Sequence, residues 1–280
     1  MSTIAAPRRA SKLRIVVAQV RYQCLLLLRS PSAPFFTFVV PLMLLVTLDL
    51  VYGSRTIPTR VGLRFPQFYL PAMSAFAMVN ACYINVINGT TLARQTGMLK
   101  RIRGTPLPGW VYLSGRVGSA CIVGLLSVGG VWALSALPFG VAVVGSTLPG
   151  TLVFVGAGMA CFSCIALAIT PLVPTPEAAL PIAYGTMLPL AFVSDVFFPS
   201  DTSPTWLQHL ASAFPLRPLA RSLEANLAPR ATGLGFHWFE LGTLAAWTAG
   251  AALLLVFFRW DPARTDRGRR SRHAAPGVTP

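Results

Sequence analysis

The chain alternates between long apolar runs and short polar breaks. Six runs are long enough to cross a bilayer as helices: 33–52, 69–89, 111–138, 148–170, 178–198 and 237–258. A spanning helix needs about 20 mostly apolar residues. None of the runs has the period-two alternation of a barrel strand. The pattern therefore predicts an all-α integral membrane protein with six transmembrane helices. Pro181 and Pro189 are expected to bend the fifth, since membrane helices tolerate proline where neighbours satisfy the freed backbone groups.

Two shorter patterns flank the runs. Leu13, Val16, Val17, Val20, Cys24, Leu27 and Leu28 recur at helical spacing, opposite Lys12, Arg14, Gln19, Arg21, Gln23 and Arg29. This predicts an amphipathic helix within 1–32, lying on the inner membrane surface. The competing reading packs it against a soluble partner. Ser30 and Pro31 end it. The first apolar run starts beyond residue 30 and no A-x-A site closes it, so no cleaved signal peptide is expected. In the loop 199–236, Ser203 and Pro204 make a helix start. Trp206, Leu207, Leu210 and Phe214 then share a face up to Pro215. Pro218 opens a second short helix carrying Leu219, Leu223 and Leu227. These helices are expected to dip into the outer leaflet or cover a pore mouth; an ordinary interfacial loop is the alternative.

Composition agrees with a bilayer as solvent: 54% of the 280 residues are hydrophobic and 11% charged, and the mean hydropathy is +0.63. A soluble domain is nearer a quarter charged. The net charge of +15 invites a nucleic-acid reading, but its distribution points to topology. With both termini cytoplasmic, seventeen basic residues lie inside. Only six lie outside: Arg55, Arg60, Arg64, Arg217, Arg221 and Arg230. That is the positive-inside rule, with anionic headgroups as the partner and no nucleic acid. The densest internal cluster is in 94–110, RQTGMLKRIRGTPLPGW. Burying its four charges in lipid would cost roughly 10 kcal/mol, so the loop 90–110 is cytoplasmic. The organisation is then an N-terminal segment 1–32, a membrane domain 33–258 and a basic cytoplasmic tail 259–280.

Several chemistries are missing. The pattern G-x-x-x-x-G-K-[ST] is absent, and the only lysines are Lys12 and Lys100, so no nucleotide binds here in the P-loop manner. Cys161 and Cys164 form a C-x-x-C inside an apolar helix, with no second pair or histidine to complete a metal site. Asp49, Asp195 and Glu240 fall near predicted outer ends, whereas a proton relay wants acids at mid-membrane. Asn80 and Asn85 in the second run are candidates for a substrate path; interhelical hydrogen bonding is their commoner use. Gly156 and Ala160 permit close helix approach.

The second run, then LARQTGMLKRIRGTPLP over 92–108, then YLSGR over 112–116, resembles the permease subunit of type-2 ABC transporters. It is similar in particular to the daunorubicin-resistance-like exporter branch. The matching positions are Arg94 and Gln95, Gly97, Lys100, Arg101, Arg103, Thr105 and Pro106, and Gly115 with Arg116. A second match is VSDVFFP over 193–199, with Trp206 and the break at Phe214 and Pro215. Relatives often carry Glu where this chain has Gln95, which can hydrogen-bond but cannot form an ion pair.

The resemblance implies a cytoplasmic coupling helix between helices two and three, contacting an ATPase through the first set of positions. It implies an outer gate with short re-entrant helices, around Asp195, Phe198, Pro199, Trp206 and Phe214. It implies no cofactor on this chain, with ATP and Mg held by two partner ABC ATPase subunits, and a second permease subunit, identical or paralogous. The expected function is ATP-driven outward movement of an amphipathic compound (drug, antibiotic or lipid-like molecule) across a bacterial plasma membrane. A lipid-linked saccharide or glycolipid exporter is an alternative. Outside transport, the alternatives are a membrane-embedded transferase or hydrolase using Asp195, Asp201 and His209, or a passive channel.

Overall fold

The computed structural model describes residues 12–29, 35–52, 64–98, 104, 109–139, 145–197, 204–229 and 231–257, and every regular element among them is a helix. We number these α1 (Lys12–Arg29), α2 (Phe35–Tyr52), α3 (Phe65–Gln95), α4 (Gly109–Phe139), α5 (Leu148–Ile169), α6 (Pro176–Val193), α7 (Thr205–Ala213), α8 (Leu216–Leu227) and α9 (Trp238–Phe257). A π-helical turn opens α2 at Phe35–Val39, and another interrupts α3 at Asn80–Ile84.

Among the described residues, five helices are long and apolar enough to cross a membrane: α2, α3, α4, α5 and α9. The fifth predicted run forms α6, which is not among the five. Glu177 and three prolines, Pro176, Pro181 and Pro189, dilute its apolar sequence. It stops at Val193, short of the predicted 198, because Asp195 turns the chain with a positive φ of 60°. Its start follows local chemistry. Thr175 Oγ1 accepts from the Ala178 amide at 3.3 Å, Pro176 needs no amide partner, and Glu177 faces the positive helix end.

The organising element is α3. Its apolar window is 94% buried, against 11% for α9. It packs on α2, α4 and α8, and through its π-turn on α5; α1 lies along α4 and α9 along α5. The predicted second run covered only the middle of α3. The helix starts earlier because the Arg64 amide bonds Gln67 Oε1 at 3.0 Å and Pro66 sits in its first turn. It runs later, to Gln95, because Thr90, Thr91 and Ala93 are buried by neighbours that a hydropathy pattern does not show.

Two amphipathic elements depart from their predicted roles. In α1, Leu13, Val17 and Leu28 face outward, as an interfacial helix requires, but the polar-face residue Gln23 is buried against α4. In α8, which starts at Leu216 rather than Pro218, nine of the 12 residues are buried, Arg217 included. Leu219 of α8 lies so close to Gly158 of α5 that a Cβ there would meet Leu219 Cδ2 at 2.8 Å. This is a helix inserted into the bundle, not one resting on it. Gly156, the predicted close-approach glycine, faces open space.

Candidate functional site

At one end of the bundle α3 finishes, α4 begins, and α5 passes into α6. Arg94, on the last turn of α3, reaches across to that second connection. Its Nη1 donates to Thr170 O at 3.3 Å and its Nη2 donates to Val173 O. These carbonyls close the end of α5, where unsatisfied oxygens collect negative partial charge. Arg94 therefore ties the basic segment to the α5–α6 connection. Gln95 is exposed beside it. Thr96 caps α3 through Oγ1 to Leu92 O at 3.1 Å, and Gly97 follows with a φ of 69°. Lys100, Arg101, Arg103, Thr105 and Pro106 lie outside the described residues.

About two helical turns into α4 lies a charged residue that the sequence reading counted only towards topology and a motif. Arg116 of α4 is 8% exposed. Its Nη1 donates to Gln23 Oε1 of α1 at 2.9 Å, and its Nη2 donates to Asn85 O of α3 at 2.7 Å. The guanidinium lies over Gly89, where any Cβ would meet Arg116 Nη2 at 1.6 Å. From Asn85 the contact continues, because its Nδ2 donates to Thr37 Oγ1 of α2 at 2.9 Å. One polar seam thus joins α1, α4, α3 and α2. Arginine suits it because its fork reaches two acceptors at once and stays charged when buried. The signal was available in the sequence: an arginine after Gly115, inside an apolar run, opposite a run containing Gly89.

On the other side of Asn85 lies a cavity of about 50 Å³. The two predicted path residues, Asn80 and Asn85, both line it. Asn80 Nδ2 donates to Phe76 O at 3.0 Å, and Asn80 Oδ1 accepts from Tyr184 Oη of α6 at 3.3 Å. The cavity therefore sits between α2, α3 and α6, at the π-turn. π-turns widen the helix and recur at functional positions.

At the opposite end, Asp195 follows α6 and is 1% exposed. It accepts from Arg217 Nε at 3.2 Å and from Arg221 Nε at 2.9 Å. Arg217, equally buried, also donates to Ser212 Oγ at 3.1 Å and to Gln208 O. Asp195 thus anchors α8 directly, and α7 through Arg217. A short polar side chain tolerates its left-handed backbone better than a bulky one. Phe214 stacks on Trp247 of α9 with centroids 5.8 Å apart, and Trp247 Nε1 donates to Ala213 O at 2.7 Å. Trp206 is 65% exposed on α7. Phe198 and Pro199 lie outside the described residues. Of the hydrolase candidates, Asp195 is committed to its arginines, His209 is exposed on α7, and Asp201 lies outside the described residues.

A family model described as ABC-2 type transporter matches residues 16–228, from α1 through α8. Among curated proteins, none matches the sequence.

Proposed function

Since the chain belongs to the ABC-2 type transporter membrane family and is a transporter permease, we propose that it is the membrane half of an ATP-driven exporter. In this reading α6 is the sixth span, both termini are cytoplasmic, and the membrane is a bacterial plasma membrane. Two ABC ATPase subunits hold ATP and Mg, and a second permease subunit, identical or paralogous, completes the transporter. The cargo is an amphipathic compound moved outward, as in the daunorubicin-resistance-like branch.

One observation carries the reading: Arg94 joins the end of α3 to the α5–α6 connection. A push on the coupling loop 90–110 is then delivered to two spanning hairpins at once. Gln95, Gly97, Lys100, Arg101, Arg103, Thr105 and Pro106 form the ATPase-facing handle. Asp195, Phe198, Pro199, Trp206 and Phe214 form the outer gate.

The test is co-purification with a Walker-motif protein, followed by transport into inverted vesicles. Reversing Lys100 and Arg101 to Glu, or deleting 97–106, abolishes ATP-dependent transport while membrane insertion persists. Wild-type coupling in the deletion, or transport by the purified chain without any ATPase, overturns the proposal.

A further inference from the structure

The cavity at the π-turn of α3 has a lining whose chemistry selects among amphiphiles. Among the described residues its polar groups are Thr37, Asn80, Asn85, Asn88 and Tyr184, all amides and hydroxyls. The remaining lining is apolar: Phe36, Ile84 and Leu180. Among the described residues no lining residue is charged, and Arg116 reaches Asn85 O from the α4 side without lining the cavity. Part of this polar capacity is already engaged. Asn85 Nδ2 is held by Thr37, Asn80 Nδ2 by Phe76 O, and Asn80 Oδ1 by Tyr184. Asn85 Oδ1 and the Asn88 amide take part in no hydrogen bond among the described residues, and they offer one acceptor and a donor–acceptor pair to a visitor. Phe36 and Leu180 are 47% and 39% exposed, so the apolar edge opens at the surface of the bundle.

We propose that this cavity binds the uncharged, hydroxyl-bearing head of an amphiphile, a glycoside in chemical class, whose apolar tail leaves between Phe36 and Leu180. The inference rests on the transporter reading for its biological use, but not for the binding itself. An ammonium or sulfate head would be buried here with no countercharge, which costs several kcal/mol even after relaxation. A sugar hydroxyl both donates and accepts, so it satisfies an amide pair without leaving a charge behind. The volume of about 50 Å³ admits one hydroxylated edge of a ring, so the lining reads that edge and leaves the rest of the ring at the mouth. Sites built to hydrogen-bond a hydroxyl also reject analogues that lack it, because the site's own polar groups are then stranded.

The test uses the full-length chain in phosphatidylglycerol nanodiscs without an ATPase, so that its failure is separate from a failure of coupling. Three probes share a dodecyl chain with a fluorophore at its tail, and carry a β-glucoside, a sulfate or a trimethylammonium head. The glucoside binds at least about tenfold more tightly than either charged probe, the value of one well-made hydrogen bond to a stranded partner. Asn88→Leu removes that preference. Asn88→Asp transfers it to the trimethylammonium probe, a gain that mere loss of packing does not produce. Arms with an added glycolipid separate a resident lipid from a free amphiphile: competition by the glycolipid identifies the lipid as a source of the same head. Equal binding of all three probes to the unaltered chain, or an unchanged glucoside preference in folded Asn88→Leu, overturns the proposal.

Discussion

Arg116 and Gln23 meet at 2.9 Å, and this bond fastens the surface helix α1 to the inside of the bundle. The same guanidinium holds Asn85 O at 2.7 Å. The buried cation is compensated by neutral oxygens, with no carboxylate among these partners. Movement of α4 relative to α3 must therefore break the charge-assisted bond to Asn85 O in a poorly solvated site, and it carries α1 along unless the bond to Gln23 breaks as well.

Arg116→Leu strands the Gln23 amide oxygen and Asn85 O together. The expected loss is about 2–4 kcal/mol, from two buried acceptors at roughly 1–3 each with partial relaxation. Arg116→Lys keeps the charge but reaches one acceptor, and falls between. Gly89→Ala pushes the guanidinium off its seat and mimics Arg116→Leu. The double variant is then no worse than the poorer single one, read as thermal midpoints in detergent. Additive losses would show that Gly89 acts elsewhere.

Arg94 and Gln95 are neighbours with separable roles. Arg94→Ala removes two bonds to the carbonyls of Thr170 and Val173. It lowers stability by about 1–3 kcal/mol, the range for hydrogen bonds made by a charged group. Gln95 is exposed, so Gln95→Glu leaves the thermal midpoint within about 0.5 kcal/mol. With the proposed ATPase partner, it is expected to alter only ATPase stimulation. A midpoint shift for Gln95→Glu comparable to that of Arg94→Ala would place Gln95 in the fold and not at a partner surface.

How much of this was legible follows from what hydropathy reports. It reports the lipid-facing average, so the runs that became α2, α4, α5 and α9 were plain. It cannot report satisfaction by a distant residue. The polar end of α3 looked like loop because its burial by neighbouring helices is not a local property. The charges of α8 looked like surface because Asp195, which compensates Arg217, lies more than twenty residues earlier. Gln23 sat on the polar face of α1, and only the position of Arg116 turns that face inward. In α6 the opposite holds: its prolines and Glu177 weaken the apolar signal, while Thr175 and Pro176 still set its start. The candidate path pair, Asn80 and Asn85, was readable because amides are conspicuous in an apolar run. Their shared cavity depends on the π-turn, which no spacing rule shows.

Asp195→Asn tests the opposite end. The amide keeps the shape and tolerates the same backbone, but leaves Arg217 buried with a neutral partner. Removing one member of a buried pair costs about 3–5 kcal/mol. Thermal unfolding followed by Trp247 fluorescence measures it, since α7 and α8 are expected to detach and expose the Phe214–Trp247 stack. Arg221→Gln loses far less, because Arg221 is 42% exposed and solvent screens it. Equal losses for the two variants would mean that the exposed arginine, and not the buried one, holds Asp195.

Gly158→Leu probes whether α8 must sit inside the bundle for transport. A Cβ at Gly158 would lie 2.8 Å from Leu219 Cδ2, and 2.9 Å from Leu219 Cδ1. Leucine overfills that contact, at a cost of about 1–3 kcal/mol. The compensating change is Leu219→Ala, which returns the volume and recovers most of that loss in the double variant. If α8 only covers the bundle, the single variant keeps its transport rate and merely melts earlier. If α8 moves with α5 during the cycle, transport falls in Gly158→Leu by more than the folded fraction does, and returns with Leu219→Ala. Transport initial rates normalised to folded protein separate the two. Because Leu219 packs on Gly158 while Arg217, two residues earlier, is held by Asp195, the second outcome is expected: α8 is pinned to α5 and to the end of α6 together.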